Sequence, residues 1–206
     1  MFFRVYSFIK YRISLYWGQQ MAIAQLKRSK CIPPATTSFR GKCRIRIKGR
    51  ITLGECFICN SGPLFSFGNQ YSSVIEVMEN GTLTIGNQVG ISNTTISCNN
   101  SITIGDYVNI GAGCIIMDSN YHSTDWRIRE NRSLDVQSAK TAPIIIEDHV
   151  FIGANCIICK GINIGARSII AAGSVVVKDI PQDCIAGGNP ATVIKYLVDL
   201  KNSPVI

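Results

Sequence analysis

The sequence predicts an all-β fold, a solenoid of stacked triangular coils with a helical N-terminal arm, and three observations predict it. The first is a six-residue period. Aliphatic residues return at Ile146, Ile152, Ile158, Ile164, Ile170 and Val176, after an earlier block at Ile104, Ile110 and Ile116 and a first appearance at Ile85 and Ile91. The second is what accompanies each aliphatic. Small or branched residues stand four places on (Val150, Cys156, Ile162, Ser168, Ser174), and glycine follows directly at Gly86, Gly105, Gly111, Gly153 and Gly165. The third is composition: 46% hydrophobic against 17% charged is too apolar for a disordered chain, and 18 glycines without a Gly-X-Y period exclude collagen.

A six-residue repeat fits neither an amphipathic helix nor an isolated strand. Three short strands per turn satisfy it, with each aliphatic pointing inward from one flat face. The glycines are expected to ease the chain round corners at positive φ. Successive coils then stack at the strand spacing, roughly 4.8 Å, and each coil buries its inner face against its neighbours.

Along the chain, residues 1–50 form an arm. Met1 to Lys30 reads as a helix rich in aromatics (Phe2, Phe3, Tyr6, Phe8, Tyr11, Tyr16, Trp17) and in basic residues. It is too interrupted to span a bilayer, which takes about 20 consecutive apolar residues. Two readings of it stand: a basic amphipathic helix resting on an anionic membrane face, or a helix capping the open end of the solenoid or packing on another subunit. Phe39 to Lys48 alternates basic and apolar residues, as a half-exposed strand does. The solenoid is placed over 51–191 with an inserted loop at 123–143, and a short C-terminal helix and tail over 192–206.

The net charge of +8 favours phosphate- or carboxylate-bearing partners. The basic residues are scattered and carry no nucleic-acid-binding motif, so no nucleic-acid partner is expected. Nine cysteines include Cys56/Cys59 and Cys156/Cys159 at zinc-like spacing. Cys114 and Cys156 fall on the small inward position of the repeat, however, and Cys59 replaces an aliphatic, so packing as small hydrophobes is the expectation and no metal site is assigned. The odd cysteine count and the lack of a cleavable leader point to a cytoplasmic location, at the inner membrane face if the helix docks there.

The period breaks after Ile116. Position 122 should hold an aliphatic and holds His122, followed by a polar, charged stretch from Ser123 to Pro143. A loop that long is uncommon and usually functional. Neutral imidazole, which ionises near about pH 6.5 when free, suits proton removal from an attacking hydroxyl. The only other histidine, His149, falls in the variable part of a regular hexad and is expected to be a solvent-facing turn residue.

The segment IIIEDHVFIGANCIICKGINIGARSIIAAGSVVVKDIPQDCIAGGNPATVI, residues 144–194, resembles the C-terminal half of the galactoside and maltose O-acetyltransferases and of polysaccharide O-acetyltransferases. The likeness covers about residues 74–195. It implies a left-handed parallel β-helix, a hand that the usual crossover rule would not give, and a homotrimer using acetyl-coenzyme A. It further implies direct acetyl transfer to a sugar hydroxyl with His122 as general base. The expected acceptor is a cell-envelope polysaccharide or its precursor, with an amino sugar as the alternative and a non-catalytic scaffold as the rival class.

A base also needs an orienting partner for its other ring nitrogen. Of the nearby carboxylates Asp118 is ranked first, ahead of Asp125, and a backbone carbonyl would serve as well. Asp125 and Arg127, in the loop, are expected at the acceptor, and the resemblance implies an acceptor contact for Asn93. Gly153, Ala154 and Ala172 are expected to line the coenzyme A groove, with Lys178 and Lys195 meeting its phosphates. The chain departs from the family pattern at Phe151, Val177 and Thr192. A γ-class carbonic anhydrase shares such a solenoid but needs three histidines on zinc, and two are present.

Overall fold

The computed structural model describes residues 2–65 and 72–197, with side chains from residue 13 on. A long helix, α1 (Phe2–Arg28), precedes a parallel β-helix. The first coil is β1 (Ser38–Arg40), β2 (Arg44–Ile47) and β3 (Arg50–Leu53). The second is β4 (Ile58–Asn60), β5 (Val74–Val77) and β6 (Thr82–Ile85), and the third is β7 (Gly90–Ser92), β8 (Thr95–Cys98) and β9 (Ser101–Ile104). The fourth holds β10 (Asn109–Ile110), β11 (Ile115–Met117) and β12 (Ile144–Ile146), with two short helices, α2 (Trp126–Arg129) and α3 (Arg132–Gln137), inserted before β12. The fifth is β13 (Phe151–Ile152), β14 (Ile157–Ile158) and β15 (Asn163–Ile164). The winding ends with β16 (Ile169–Ile170), β17 (Val175–Val176) and β18 (Cys184–Gly188), against which β19 (Ala191–Tyr196) folds back antiparallel.

Stacking puts every third strand on one face. The first face runs β1-β4-β7-β10-β13-β16-β18, the second β2-β5-β8-β11-β14-β17, and the third β3-β6-β9-β12-β15. Inward ladders follow from this register. Ile91, Ile110, Ile152 and Ile170 stack on the first face, Ile75, Ile96, Ile116, Ile158 and Val176 on the second, and Ile85, Ile104, Ile146 and Ile164 on the third, all buried. Each such side chain contributes roughly 1.5–3 kcal/mol by leaving water. Cys59 joins the first ladder between Phe39 and Ile91, as a small hydrophobe should. Cys114 and Cys156 are buried at the corner between the first and second faces, and their thiols donate to the carbonyls of Gly153 and Ala171, both at 3.1 Å.

Three expectations need correction. The solenoid starts at Ser38 rather than at residue 51, because the alternating basic stretch forms the first coil instead of a separate arm. The glycines that follow ladder aliphatics do not carry positive φ. A Cβ on Gly86 would collide with Asp106 Oδ1, and one on Gly165 with the Gln182 amide nitrogen, so glycine is required by close approach of the next coil. At the corner between the third and first faces, left-handed conformations fall instead on the stacked Cys56, Gln88, Tyr107, His149, Arg167 and Asp183. Finally, residues 192–196 are strand, not helix, since they find backbone partners along β18; residues 198–206 lie outside the described residues.

The helix caps the first coil. Ala22 and Leu26 are buried against it, and a Cβ on Gly18 would collide with the Gly41 carbonyl oxygen. Gln19 donates to the Thr37 carbonyl at 2.9 Å and accepts from the Phe39 amide, so its side chain stands in for a missing strand.

Candidate active site

The insertion leaves the solenoid at the corner between the second and third faces. Its two ends are pinned together: Asn120 N donates to Lys140 O at 3.0 Å, Ala142 N to Asp118 O at 3.0 Å, and Ser119 bridges Thr141. Asp118 is wholly buried and accepts from the amides of Asn99 at 2.7 Å and Asn100 at 2.8 Å. Those bonds fasten the base of the insertion to the coil below. The nitrogen of His122 that Asp118 was expected to hold is met by another carboxylate, and that expectation is corrected.

The orienting carboxylate is Asp135. Asn131 caps α3, its side chain accepting from the Ser133 amide at 3.1 Å and the Leu134 amide at 3.2 Å. The first turn of α3 then carries Asp135 back toward the start of the insertion. Its Oδ1 accepts from the Ser123 amide at 2.7 Å, and its Oδ2 lies 2.6 Å from His122 Nδ1. The His122 ring N–H and the Ser123 amide together hold the Asp135 carboxyl below the usual carboxylate range. An ionised carboxylate only accepts, so Nδ1 carries a proton, and whenever the ring is neutral it is Nε2 that presents the lone pair. The imidazole itself is open, its side chain 68% exposed. Tyr121, beside it in the chain, is in a left-handed turn at φ 61° and is tied by its hydroxyl to Ser97.

Other expected residues fall elsewhere. Asn93 is wholly buried, with Oδ1 accepting from the Gly62 amide at 2.8 Å and Nδ2 donating to the Gly62 carbonyl at 2.9 Å. It braces a corner and is corrected as an acceptor contact. Asp125 caps α2, accepting the Arg127 amide at 3.0 Å, and its carboxylate pairs with the Arg127 guanidinium at 2.7 Å. The Arg127 partner holds Asp125 below its ordinary range. Both belong to the insertion that carries His122. His149 is exposed and stacks on Tyr107, ring centroids 4.9 Å apart, as a turn residue.

The five residues assigned to the coenzyme A groove divide among three places. Gly153, Ala154 and Ala172 share the corner between the first and second faces, where Gly173 N donates to Ala154 O at 2.8 Å. There a Cβ on Gly153 would meet the Ala172 amide nitrogen at 2.6 Å, while one on Gly173 would meet nothing within 4 Å, so this corner is narrow along the stack and open outward. Lys178 stands at the insertion's corner, in register with Asp118 two coils away, about 10 Å along the axis. Lys195 lies on β19 opposite Ile185, apart from both. In the bare sequence Asp135 is only one of the loop's several charges. It lies 13 positions from His122 with no period to relate them, and the cap residue Asn131 was the one available sign of the helix that delivers it.

The hexapeptide repeat of succinyl-transferases matches residues 143–178. A hexapeptide-repeat containing acetyltransferase from Vibrio cholerae is 32% identical, with 76% of this chain and 74% of that one aligned at a TM-score of 0.52. AntD, an N-acyltransferase from Bacillus cereus, shares the fold at a TM-score of 0.65 and 22% identity, over 84% of this chain and 87% of that chain. Among curated proteins, a 2,3,4,5-tetrahydropyridine-2,6-dicarboxylate N-acetyltransferase of Staphylococcus aureus is 32% identical over 101 residues; the match spans 49% of this chain and 36% of that relative's length. With the coiled architecture, the repeat and the aligned Vibrio protein in agreement, the chain belongs to the hexapeptide-repeat, left-handed β-helix acyltransferase family.

Proposed function

We propose that the protein transfers an acetyl group from acetyl-coenzyme A directly to a sugar hydroxyl, with His122 as general base and Asp135 as its orienting partner. The observation that carries the proposal is the Asp135–His122 pair, at 2.6 Å, on the longest interruption of the solenoid. In the proposed step the acceptor hydroxyl gives its proton to His122 Nε2 while its oxygen attacks the thioester carbonyl. The C–O bond forms and the C–S bond breaks. The proton then passes from the imidazolium to the departing thiolate, leaving free coenzyme A. Asp135 keeps the lone pair on Nε2 and stabilises the imidazolium that forms.

The open corner at Gly153, Ala154 and Ala172 suits the donor's extended pantetheine arm, since only small residues leave main-chain groups within its reach. Lys178, at the insertion's own corner, supplies positive charge for phosphate. The Vibrio relative has been crystallised with acetyl-coenzyme A and AntD with coenzyme A, which supports the same donor here. A homotrimer is part of the proposal. Trp126, Leu134 and Val136 expose apolar surface on the insertion beside a base that stands in solvent, and a second protomer against them would both bury that surface and shield the ring.

An N-acetyltransferase acting on an amino sugar is the second reading. It is favoured by the names of two relatives, which are N-acyltransferases, one of them crystallised with dTDP-4-amino-4,6-dideoxyglucose. The repeat that aligns serves either chemistry, and the insertion shapes the acceptor. An acceptor screen that follows free thiol release, with products freed of acetyl-coenzyme A and then treated with alkaline hydroxylamine, separates the two. Ester products lose acetate and amide products keep it. Thiol release with amino sugars alone, giving resistant products, would replace the first reading with the second; no acceptor-dependent release with any sugar would remove both.

A further inference from the structure

Charge is segregated along this chain. Twelve of its 21 Lys and Arg and none of its 13 Asp and Glu lie in residues 1–54. That end therefore carries +12, while the rest, with nine basic and 13 acidic residues, carries −4. The fold concentrates the basic residues at one end of the solenoid, in α1 and the first coil. Arg40, Lys42, Arg44, Arg46, Lys48 and Arg50 are all exposed on or beside β1, β2 and β3. The few acids within reach, Glu76 and Glu79, pair with three of them at 3.1–3.8 Å.

The same end exposes an apolar helix face. Gly18, Ala22 and Leu26 turn inward onto the first coil, and on the opposite side Ile13, Tyr16, Trp17 and Met21 are 52%, 62%, 60% and 47% exposed. Their spacing puts them on one stripe, which continues into Lys27 and Arg28 in the last turn. A helix apolar on two sides is built for two partners, and the solenoid supplies one. Among the described residues no helix is long and apolar enough to cross a membrane.

We propose that this end of the solenoid docks on an anionic lipid surface, with Tyr16 and Trp17 seated at the headgroup level and the surrounding Lys and Arg meeting lipid phosphates. Aromatic rings flanked by cations are the composition that partitions to such an interface. Two copies meeting through this face would place strongly positive ends together, which the charge distribution opposes. Three coil spacings, roughly 14 Å, then separate the docked coil from the coil bearing the insertion, within reach of an acceptor tethered to the same membrane; that last consequence alone rests on the function proposed above.

The test needs no activity. Trp126→Phe leaves Trp17 as the sole tryptophan of the full chain. With vesicles containing phosphatidylglycerol, Trp17 emission should shift to the blue and resist iodide quenching, and the protein should co-float. Pure phosphatidylcholine should give neither. Tyr16→Ser with Ile13→Ser, and separately Lys27→Gln with Arg28→Gln, should each weaken flotation on the order of tenfold or more, with melting curves unchanged to show that the fold persists. Three results would overturn the proposal: equal binding to neutral vesicles, equal protection of Trp17 by soluble polyglutamate, or protection of Trp17 without vesicles that is lost on dilution. The last two would assign the face to an acidic polymer and to a second copy, respectively.

Discussion

Replacing Asp135 probes how the insertion sets the chemistry of His122, and two replacements should differ in an unusual order. In the native pair one carboxylate oxygen is committed to the Ser123 amide at 2.7 Å and the other to His122 Nδ1 at 2.6 Å. In Asp135→Asn the single remaining acceptor oxygen is claimed by the Ser123 amide, which can only donate. The NH2 group must then face Nδ1. A donor in that position forces the ring proton to Nε2, and the lone pair needed as base is lost. Asp135→Ala removes the orienting group but leaves the ring free to adopt either tautomer. A positioned base is worth about 10²–10⁴-fold, and a wrong tautomer in a comparable His–Asp pair costs about 10⁴. The asparagine variant should therefore lose on the order of 10³-fold in kcat, and the alanine variant roughly 10–100-fold. Steady-state thiol release with saturating donor measures both, with melting temperature as control. Asparagine turnover within a few-fold of wild type, or alanine tenfold slower than asparagine, would refute the tautomer argument.

Other perturbations should separate structural from chemical roles. Asp118→Ala leaves the Asn99 and Asn100 amides unpaired in a buried corner, and it should cost about 3 kcal/mol, read as a melting temperature lower by about 6–12 °C. Gly153→Ala drives a Cβ to 2.6 Å from the Ala172 amide nitrogen, so the coils must spread; denaturant melts should show a loss of about 1–3 kcal/mol, and the donor KM should rise more than kcat falls. Asp135 also sets an acid limit, because its folded pKa lies below the unfolded value. Its stabilisation is then fully present above the unfolded carboxylate range and is lost as pH falls through the folded value. The stability gap between wild type and Asp135→Ala should be constant at neutral pH and shrink below about pH 4; a gap that widens on acidification would contradict the assignment.

Most of the fold could be read in the residues because it is periodic. Ile146 through Val176 fix three ladders by repetition, and each match makes the next less ambiguous. The first coil was harder to read, since its inward positions include Phe39, Ile45 and Ile51 among exposed arginines and lysines, a pattern that equally suits an isolated strand. The glycines were legible as a pattern but not in their cause, because contact between coils, invisible in a single strand, is what demands them. The antiparallel return of β19 was missed because Thr192 to Tyr196 carries no period and gains its partners only through β18.

The site was half legible. His122 stood out as an imidazole where the ladder required an aliphatic. Its partner did not, because proximity in sequence favoured Asp118 and Asp125, whereas backbone amides had already claimed Asp118 and the α2 cap had claimed Asp125. Local hydrogen-bond demand decided which carboxylate was left for the ring, and that demand becomes visible only once the insertion is folded. Asn93 misled for the same reason, its amide being spent on Gly62.

The most direct measurement is thiol release by His122→Ala beside wild type, at saturating acetyl-coenzyme A and with whichever acceptor the screen identifies. A general base at this position predicts a loss of about a hundredfold or more in kcat, with donor binding and melting temperature nearly unchanged because the exposed ring supports no part of the core. Turnover within a few-fold of wild type would contradict that role and remove His122 from the mechanism.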